Sequence, residues 1–391
     1  MPIVHGPWRA AAPPGYRRSM QDDLRMARGE LERFCEDVFA KLGLSGEDAR
    51  IASEVLVAAD AMGLPSHGVG RLPRYIEGLR SGLMLPAIAE EVVAEGPTSL
   101  VIDARGAMGA PASFRAMRRV IDKAKAAGAA FGCVRDSNHF GIAGYYARMA
   151  LREDMIGIAM TNTAALGVPT FGREAMFGTN PIAFAAPAGS EGSFVLDMST
   201  TVVTRGKLEV HERAGERLPA GWAVDGRGLP ATDPGSTLRG LQDRTGGGIL
   251  PLGGLGIALG GHKGYGLAVM VDVLCAVLSG APFGRTVRDS ATSSARVSHF
   301  FGAISVASFR DPADFRRDMD EMLASLRACP PAEGAERVYY AGLPEREAEE
   351  ESARLGVAVS GPTYRALLAL GIELGIPLTP QRGSGASRPT L

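Results

Sequence analysis

The 391-residue chain is 46% apolar and 22% charged, with a net charge of -1, the composition of a soluble globular protein of one large or two ordinary domains. A charge so close to zero gives no electrostatic reason for nucleic acid or an anionic membrane as partner, and both are set aside. Cys35, Cys133, Cys275 and Cys329 stand apart without CxxC spacing, which argues against a zinc cage or a disulfide framework and for a reducing cytoplasm.

The first residues include Pro13, Pro14, Arg17 and Arg18 but no apolar core, so no secretory signal is read there. Helical periodicity starts near Leu31, which leaves residues 1–28 as a flexible extension and Met20 or Met26 as alternative starts. Phe34, Val38, Phe39 and Leu42 then follow helical spacing up to Gly43. Ser45 with Asp48 begins a second helix that runs through Ile51, Val55 and Leu56 to Gly63. Ser66 caps a third, on which His67, Arg71 and Tyr75 recur every four positions. At about 100° per residue these three share one arc, while Val69, Leu72, Ile76 and Leu79 take another. A proton carrier, a fixed cation and a phenol on one face suit a small carboxylate, because guanidinium pairs with that group bidentately. A solvated polar face is the plain alternative.

From Ser99 short apolar runs alternate with helical segments. Strands are predicted at 100–102, 130–134, 156–160, 182–186, 194–196 and 303–306, and helices at 112–126, 145–152, 264–278 and 312–326. This is an α/β core, and its alternation alone suggests a doubly wound parallel sheet. The longest apolar run, 267–278, contains Asp272, is too short to span a bilayer and reads as a buried helix. Residues 215–261, dense in Gly, Pro, Asp and Thr, read as a long loop around Trp222, a length that favours a functional role. An acidic helix after Tyr340, a strand at 357–359 and a helix ending near Gly375 follow, and from Pro380 the chain reads as a disordered tail.

Three further stretches carry chemistry-bearing residues. In Ser137-Asn138-His139-Phe140-Gly141 a histidine sits at a strand-to-helix junction, suited to proton transfer near neutrality or simply to bonding the backbone. Thr161-Asn162-Thr163 and Gly178-Thr179-Asn180-Pro181 can bond the amide or ribose of a cofactor, or merely close turns. In Gly260-Gly261-His262-Lys263-Gly264, bare backbone amides, a cation and the start of a helix together suit a pyrophosphate. Neither a Walker loop nor a Rossmann GxGxxG with its following acid is present, so a nucleotide site here is of a different build. The six histidines are scattered, no HExxH accompanies them and no GxSxG elbow is found, which leaves neither a metal site nor a serine hydrolase in view.

Taken in order from Leu31 to Gly375, these motifs resemble the malate/L-lactate dehydrogenase family of oxidoreductases that lack a Rossmann fold. The resemblance rests on Ala59-Asp60 with Ser66-His67-Gly68-Val69, Arg71-Leu72-Pro73 and Tyr75, on Ser137 to Gly141, and on Gly178 to Ala183. It continues through Asp197-Met198-Ser199-Thr200, Gly221-Trp222-Ala223, Thr232-Asp233-Pro234 and His262 to Gly266. It implies a non-Rossmann, mainly antiparallel central sheet binding NAD or NADP over residues 98–334. With it goes a helical domain built from both termini, 29–97 with 335–378, a flexible tail over 379–391, and a site completed in a homodimer or higher homo-oligomer. On the same ground His139 moves the proton, His67 lines the pocket, and Arg71 and Tyr75 hold the substrate carboxylate. Thr163, Gly178, Thr179, Asn180, Asp197, Met198, Ser199, His262, Lys263 and Gly264 match cofactor positions. Gly342, Leu343 and Pro344 do so more loosely, because Ala341-Gly342-Leu343-Pro344-Glu345-Arg346-Glu347 departs from the family's usual Pro-Gly-Glu-Arg-Glu pattern.

The expected activity is hydride transfer between nicotinamide and a small 2-hydroxy or 2-oxo acid. Reduction of a cyclic imino acid is the alternative within the fold, with Ala164 and Ala165 leaving room for a ring. A silent nucleotide-binding protein is the alternative outside catalysis, and the joint presence of His67, Arg71, His139 and Lys263 counts against it.

Overall fold

The computed structural model describes residues 23–86, 90–288 and 294–378. It opens with β1 (Asp23–Met26), followed by α1 (Arg28–Lys41), which buries Leu31, Phe34, Cys35, Val38 and Phe39 along one stripe. α2 (Gly46–Ala61) starts where its sequence implied, with the Ser45 hydroxyl accepting from the Asp48 N–H at 3.2 Å. The third helix differs from expectation: α3 (Leu72–Arg80) begins only after a 3-10 turn over Val69–Arg71. Ser66 is no cap, because its hydroxyl lies 2.9 Å from His67 Nδ1, and His67 sits in the approach turn, off the helix that carries Tyr75. Gly68 and Gly70 weaken helix in this stretch, and the Asp60 carboxylate takes the Val69 N–H at 2.6 Å.

The middle of the chain supplies β2 (Glu91–Glu95), β3 (Ser99–Asp103), α4 (Gly109–Ala127), β4 (Ala129–Ser137), α5 (Ala143–Met149), β5 (Met155–Thr161), β6 (Ile182–Ala186) and β7 (Phe194–Met198). After them α6 (Arg205–Ala214), β8 (Ala223–Val224), β9 (Pro230–Ala231), α7 (Pro234–Asp243) and β10 (Gly248–Ile249) form a small unit over Leu208, Leu218, Leu238, Leu241 and Ile249. Residues 215–261 are therefore not one long loop. Asp233, inside the Thr-Asp-Pro motif, caps α7 by accepting the Ser236 N–H at 2.9 Å. α8 (Gly261–Asp272) follows, continues into a π-helical turn, Val273–Val277, and leads to β11 (Val297–Ser305).

β11 is the organising strand of a seven-stranded sheet ordered β2-β3-β4-β11-β5-β6-β7. Only β3 and β4 pair in parallel, and every other neighbouring pair is antiparallel. The doubly wound parallel sheet suggested by alternation is thus overturned. α4 does connect two parallel neighbours as a β-α-β unit, but β11, from far along the chain, enters between β4 and β5 and reverses the pattern. Side chains alternate across it: Phe301 and Ala303 join Val120 of α4 and Tyr146 of α5, while Phe300 meets Val271 and Cys275 on the opposite face.

The helix expected to be buried at 264–278 is only half so. Val271 and Cys275 are enclosed, but Val273, Val277 and Leu278 are 47%, 54% and 60% exposed. No helix among the described residues is long and apolar enough to cross a membrane.

α9 (Pro312–Ala328), α10 (Leu343–Leu355), β12 (Val357–Ser360) and α11 (Gly361–Leu374) complete the fold. β12 pairs antiparallel with β1, Met26 opposite Val357, and Leu367, Leu370 and Leu374 enter one apolar cluster with Leu31, Phe34 and Phe39. Residues 23–28, assigned from sequence to the flexible extension, are therefore ordered by a core contact: Met26 is fully buried. The earlier part of that extension and the tail 379–391 lie outside the described residues.

Candidate active site

β4 delivers Ser137 and Asn138, both buried, and the Asn138 amide donates to the Gly106 and Ala107 carbonyls at 2.9 Å, which fixes the chain just ahead of His139. His139 itself is half-buried, held by rigid neighbours yet reachable. Its Nδ1 lies 2.6 Å from the Tyr75 hydroxyl and accepts the Gly141 N–H at 3.3 Å. With an amide donating to Nδ1, the phenol donates there too, and the neutral ring carries its proton on Nε2. The His67 ring stacks on that of His139, centroids 5.6 Å apart and planes 16° from parallel.

Burial, aided by the Arg71 charge, lowers His67 to about 4. Burial, with His67, Arg74, Arg71 and His299 adding to it, holds His139 well below the usual histidine range. Both rings are therefore neutral at pH 7. Arg71 donates its Nε–H to the Ser66 carbonyl at 2.6 Å, which orients the guanidinium and leaves its two terminal amino groups for a ligand. The buried Tyr75 hydroxyl engages His139, a contact its expected role did not include. Arg74, which the four-residue spacing passed over, stands exposed on α3, and its charge acts on both Tyr75 and His139.

The turn bearing His67 and Arg71 is held from below by Asp60. This buried carboxyl of α2 accepts the Val69 N–H, burial raises it to about 7, and a Cβ on Gly68 would overlap it. Gly68 has φ -86°, an angle open to any residue, so only this close approach demands glycine. Gly68→Ala is expected to cost about 1–3 kcal/mol of stability and to raise KM by displacing Arg71. Adding Asp60→Ala should relieve the overlap, so that denaturation curves show the double variant losing less than the sum of the singles.

The residues expected on the cofactor side form a second cluster just after β5 and just before β6. Thr163 Oγ1 accepts the Thr179 N–H at 3.0 Å, and the Asn180 side chain accepts the Thr163 N–H at 3.2 Å. A Cβ on Gly178 would overlap Thr163, so glycine lets these two loops touch. The Asn180 amide donates also to the Ala268 carbonyl at 2.9 Å, which fixes the loop from beneath. Asp197 accepts the Gly144 N–H at 2.7 Å and so ties β7 to the start of α5. Met198 is half-buried beside it, and the Ser199 hydroxyl donates to the Thr201 carbonyl at 3.0 Å.

His262 and Lys263 are exposed in the first turn of α8, while Gly264 packs against the Leu252 backbone. Gly342 precedes α10 beside Val195 and Pro344 stands in its first turn, but the Leu343 side chain is core, packed with Leu323 and Tyr340. An open recess of about 500 Å³ lies elsewhere, along α1 and α2, where Arg28 pairs with Glu32 and Arg50 with Glu54. It holds none of the expected site residues.

Two buried residues escaped sequence reasoning. Asp60 was visible only as part of a motif, with no signal of what it binds. His299 gave no signal at all, because its partners Ser137 and Thr161 are distant in sequence.

The sequence model described as malate/L-lactate dehydrogenase matches residues 26–368. Malate dehydrogenase of Pyrococcus abyssi is 40% identical over 346 residues, 88% of this chain and 92% of that protein. L-sulfolactate dehydrogenase of Methanocaldococcus jannaschii is 38% identical over 342 residues, 87% and 94% of the two chains. The crystal structure of malate dehydrogenase from Entamoeba histolytica superposes with a TM-score of 0.87 at 31% identity, covering 91% of this chain and 99% of that one. With a match running from β1 into α11 and a mixed sheet shared with these dehydrogenases, the chain belongs to the malate/L-lactate dehydrogenase family.

Proposed function

We propose that this chain is an NAD- or NADP-dependent dehydrogenase of small 2-hydroxy acids of the malate type, acting on CH–OH with the 2-oxo acid as product. The observation that carries this reading is the His139 ring with Nδ1 bound to Tyr75, which leaves Nε2 for a substrate oxygen, beside an Arg71 guanidinium with open amino groups.

The chain's own residues fit a dinucleotide. Lys263 has no ion pair among the described residues and stands exposed in the first turn of α8, a cation at a helix start that suits a pyrophosphate. The Thr163 to Asn180 cluster lies at the sheet ends and suits the nicotinamide half. When bound, the nicotinamide takes a hydride from the alcohol carbon or returns it.

Everything else falls to side chains. Arg71 orients the carboxylate. For oxidation, Nε2 of His139 must be the bare nitrogen, and the Tyr75 hydroxyl permits this by rotating to accept from Nδ1–H. For reduction, the protonated ring donates from Nε2 to the carbonyl while Nδ1–H stays on Tyr75. A histidine held neutral at pH 7 is ready as a base, so the sign of the pH effect follows. Alcohol oxidation should keep its rate as pH falls through 6.5, with the acid limb of kcat/KM below that value, and reduction should gain at lower pH. An acid limb at or above 6.5 would remove His139 as the base.

Several finer features belong to the same reading. A helical unit of 29–97 with 335–378 carries His67, Arg71 and Tyr75, and an α/β unit over 98–334 carries His139 and the cofactor residues. The exposed apolar face running from Val269 to Leu278 is where a second copy packs. No nucleic acid or membrane enters the reaction. The test is a titration of NADH and NADPH followed by fluorescence, then a panel of malate, lactate and their oxo acids beside cyclic imino acids. Binding of neither cofactor would sink the proposal, and turnover of the imines alone would replace it with imine reduction.

A further inference from the structure

His299 lies on the central strand β11 and is fully buried. Its Nδ1 is 2.8 Å from Thr161 Oγ1 and its Nε2 2.9 Å from Ser137 Oγ. The Thr161 hydroxyl directs its own proton to backbone carbonyls, Asn162 at 3.0 Å or Ser298 at 3.1 Å, so it accepts from Nδ1–H. Nε2 is then a bare acceptor, and the Ser137 hydroxyl donates to it. Burial lowers the ring to about 3 against the pull of the Asn138 carbonyl, so it is uncharged whenever the protein is folded near neutrality.

Two more contacts fix the ring and its strand. The imidazole lies flat on Phe140, centroids 4.4 Å apart and planes 5° from parallel. β11 also breaks register with β4 between Val297 and His299, and the residue at that break, Ser298, gives its N–H to the Asn162 side chain at 2.8 Å. Such irregularities re-aim side chains beside active sites. Here one places an imidazole between the last residue of β4 and the last residue of β5. Ser137 leads within two residues to His139, and Thr161 within two to Thr163.

We propose that His299 is a positioning residue that locks the end of β4 to the end of β5, so that the proton carrier His139 and the cofactor-side Thr163 meet in one fixed geometry. This rests on the dehydrogenase reading above. His299 touches neither substrate nor cofactor. It acts through the two hydroxyls, as a neutral two-ended bridge with a defined direction, donor toward Thr161 and acceptor toward Ser137.

The test compares His299→Phe, which keeps a ring against Phe140 but makes neither hydrogen bond, with His299→Gln, whose amide can still donate and accept. Ser137→Ala and Thr161→Val each remove one end with little change of volume, and they carry the test if the phenylalanine variant does not fold. Steady-state rates are measured with a 2-hydroxy acid and its C2-deuterated form, beside reduced-cofactor affinity and thermal melting. Misplacement of reacting groups by an ångström can cost on the order of 100-fold, so the phenylalanine variant should lose about 10- to 100-fold in kcat. Its deuterium isotope effect should rise as hydride transfer becomes limiting, with KM little changed. The single hydroxyl variants should show part of this, and glutamine should restore most of it.

A merely structural role would lower the melting temperature and leave kcat per folded site and the isotope effect at native values, and that result in the folded phenylalanine variant, or in both hydroxyl variants where phenylalanine does not fold, would overturn the proposal. Failure of the native protein itself to oxidise any 2-hydroxy acid would instead bring down the dehydrogenase reading on which it rests.

Discussion

His139→Ala is expected to lower turnover by about 10² to 10⁴-fold while leaving NADH or NADPH affinity within a few-fold of native. The size follows from what one positioned acid-base group contributes. The selectivity follows from geometry. His139 bonds Tyr75 and Gly141 and stacks on His67, all on the proposed substrate side, whereas Thr163, Thr179 and Asn180 hold one another without it. Tyr75→Phe offers a graded comparison. It keeps the ring packed against Phe39 but takes the hydroxyl from Nδ1, so neutral His139 loses the partner that lets it move between tautomers. Oxidation should suffer more than carbonyl reduction, because only oxidation needs Nε2 bare. Single-turnover rates in the two directions at matched pH measure the difference. Native turnover in the alanine variant would remove His139 from the chemistry, and equal losses in both directions for Tyr75→Phe would remove the tautomer argument.

What the sequence made legible was local. The Ser45 cap, the apolar stripe of α1, the His139 junction and the α8 start with Lys263 each depend on residues a few positions apart, and each stands where its spacing put it. The β-α-β unit from β3 to β4 was equally visible, and generalising from it produced the wrong sheet, because the strand that sets the topology arrives from residues 297–305. The His67 turn failed for a related reason. Periodicity made it helical, while the Asp60 carboxylate, on another helix, captured the Val69 N–H and delayed the helix to Leu72. Tyr75 was found as a site residue, but nothing in its spacing reveals that its hydroxyl ends beside His139. Side chains were readable as types, and their partners required the fold.

Val273→Asp with Val277→Asp is expected to convert a dimeric or larger native assembly to monomers and to abolish activity without unfolding the chain. Both valines are about half exposed, they lie four residues apart, and Val269, Met270 and Leu278 extend the same face. Burying an aliphatic side chain of this kind is worth about 1.5–3 kcal/mol, so the losses from two valines, counted on both copies of a two-fold contact, are enough to separate a typical dimer. The carboxylates would also approach their counterparts across the symmetry axis, adding repulsion. The core should not notice, because Val271 and Cys275, on the opposite side, are the residues that pack on Met160 and Phe300. Activity should fall because, in the proposed reading, one helical stretch serves both purposes: the first turn of α8 carries Lys263 for the cofactor, and the exposed apolar face that continues into the π-helical turn meets the second copy. Sedimentation, circular dichroism and turnover measured on one preparation decide the matter. A folded monomer with native turnover would show that one chain holds a complete site, and a variant that remains dimeric would move the interface away from α8.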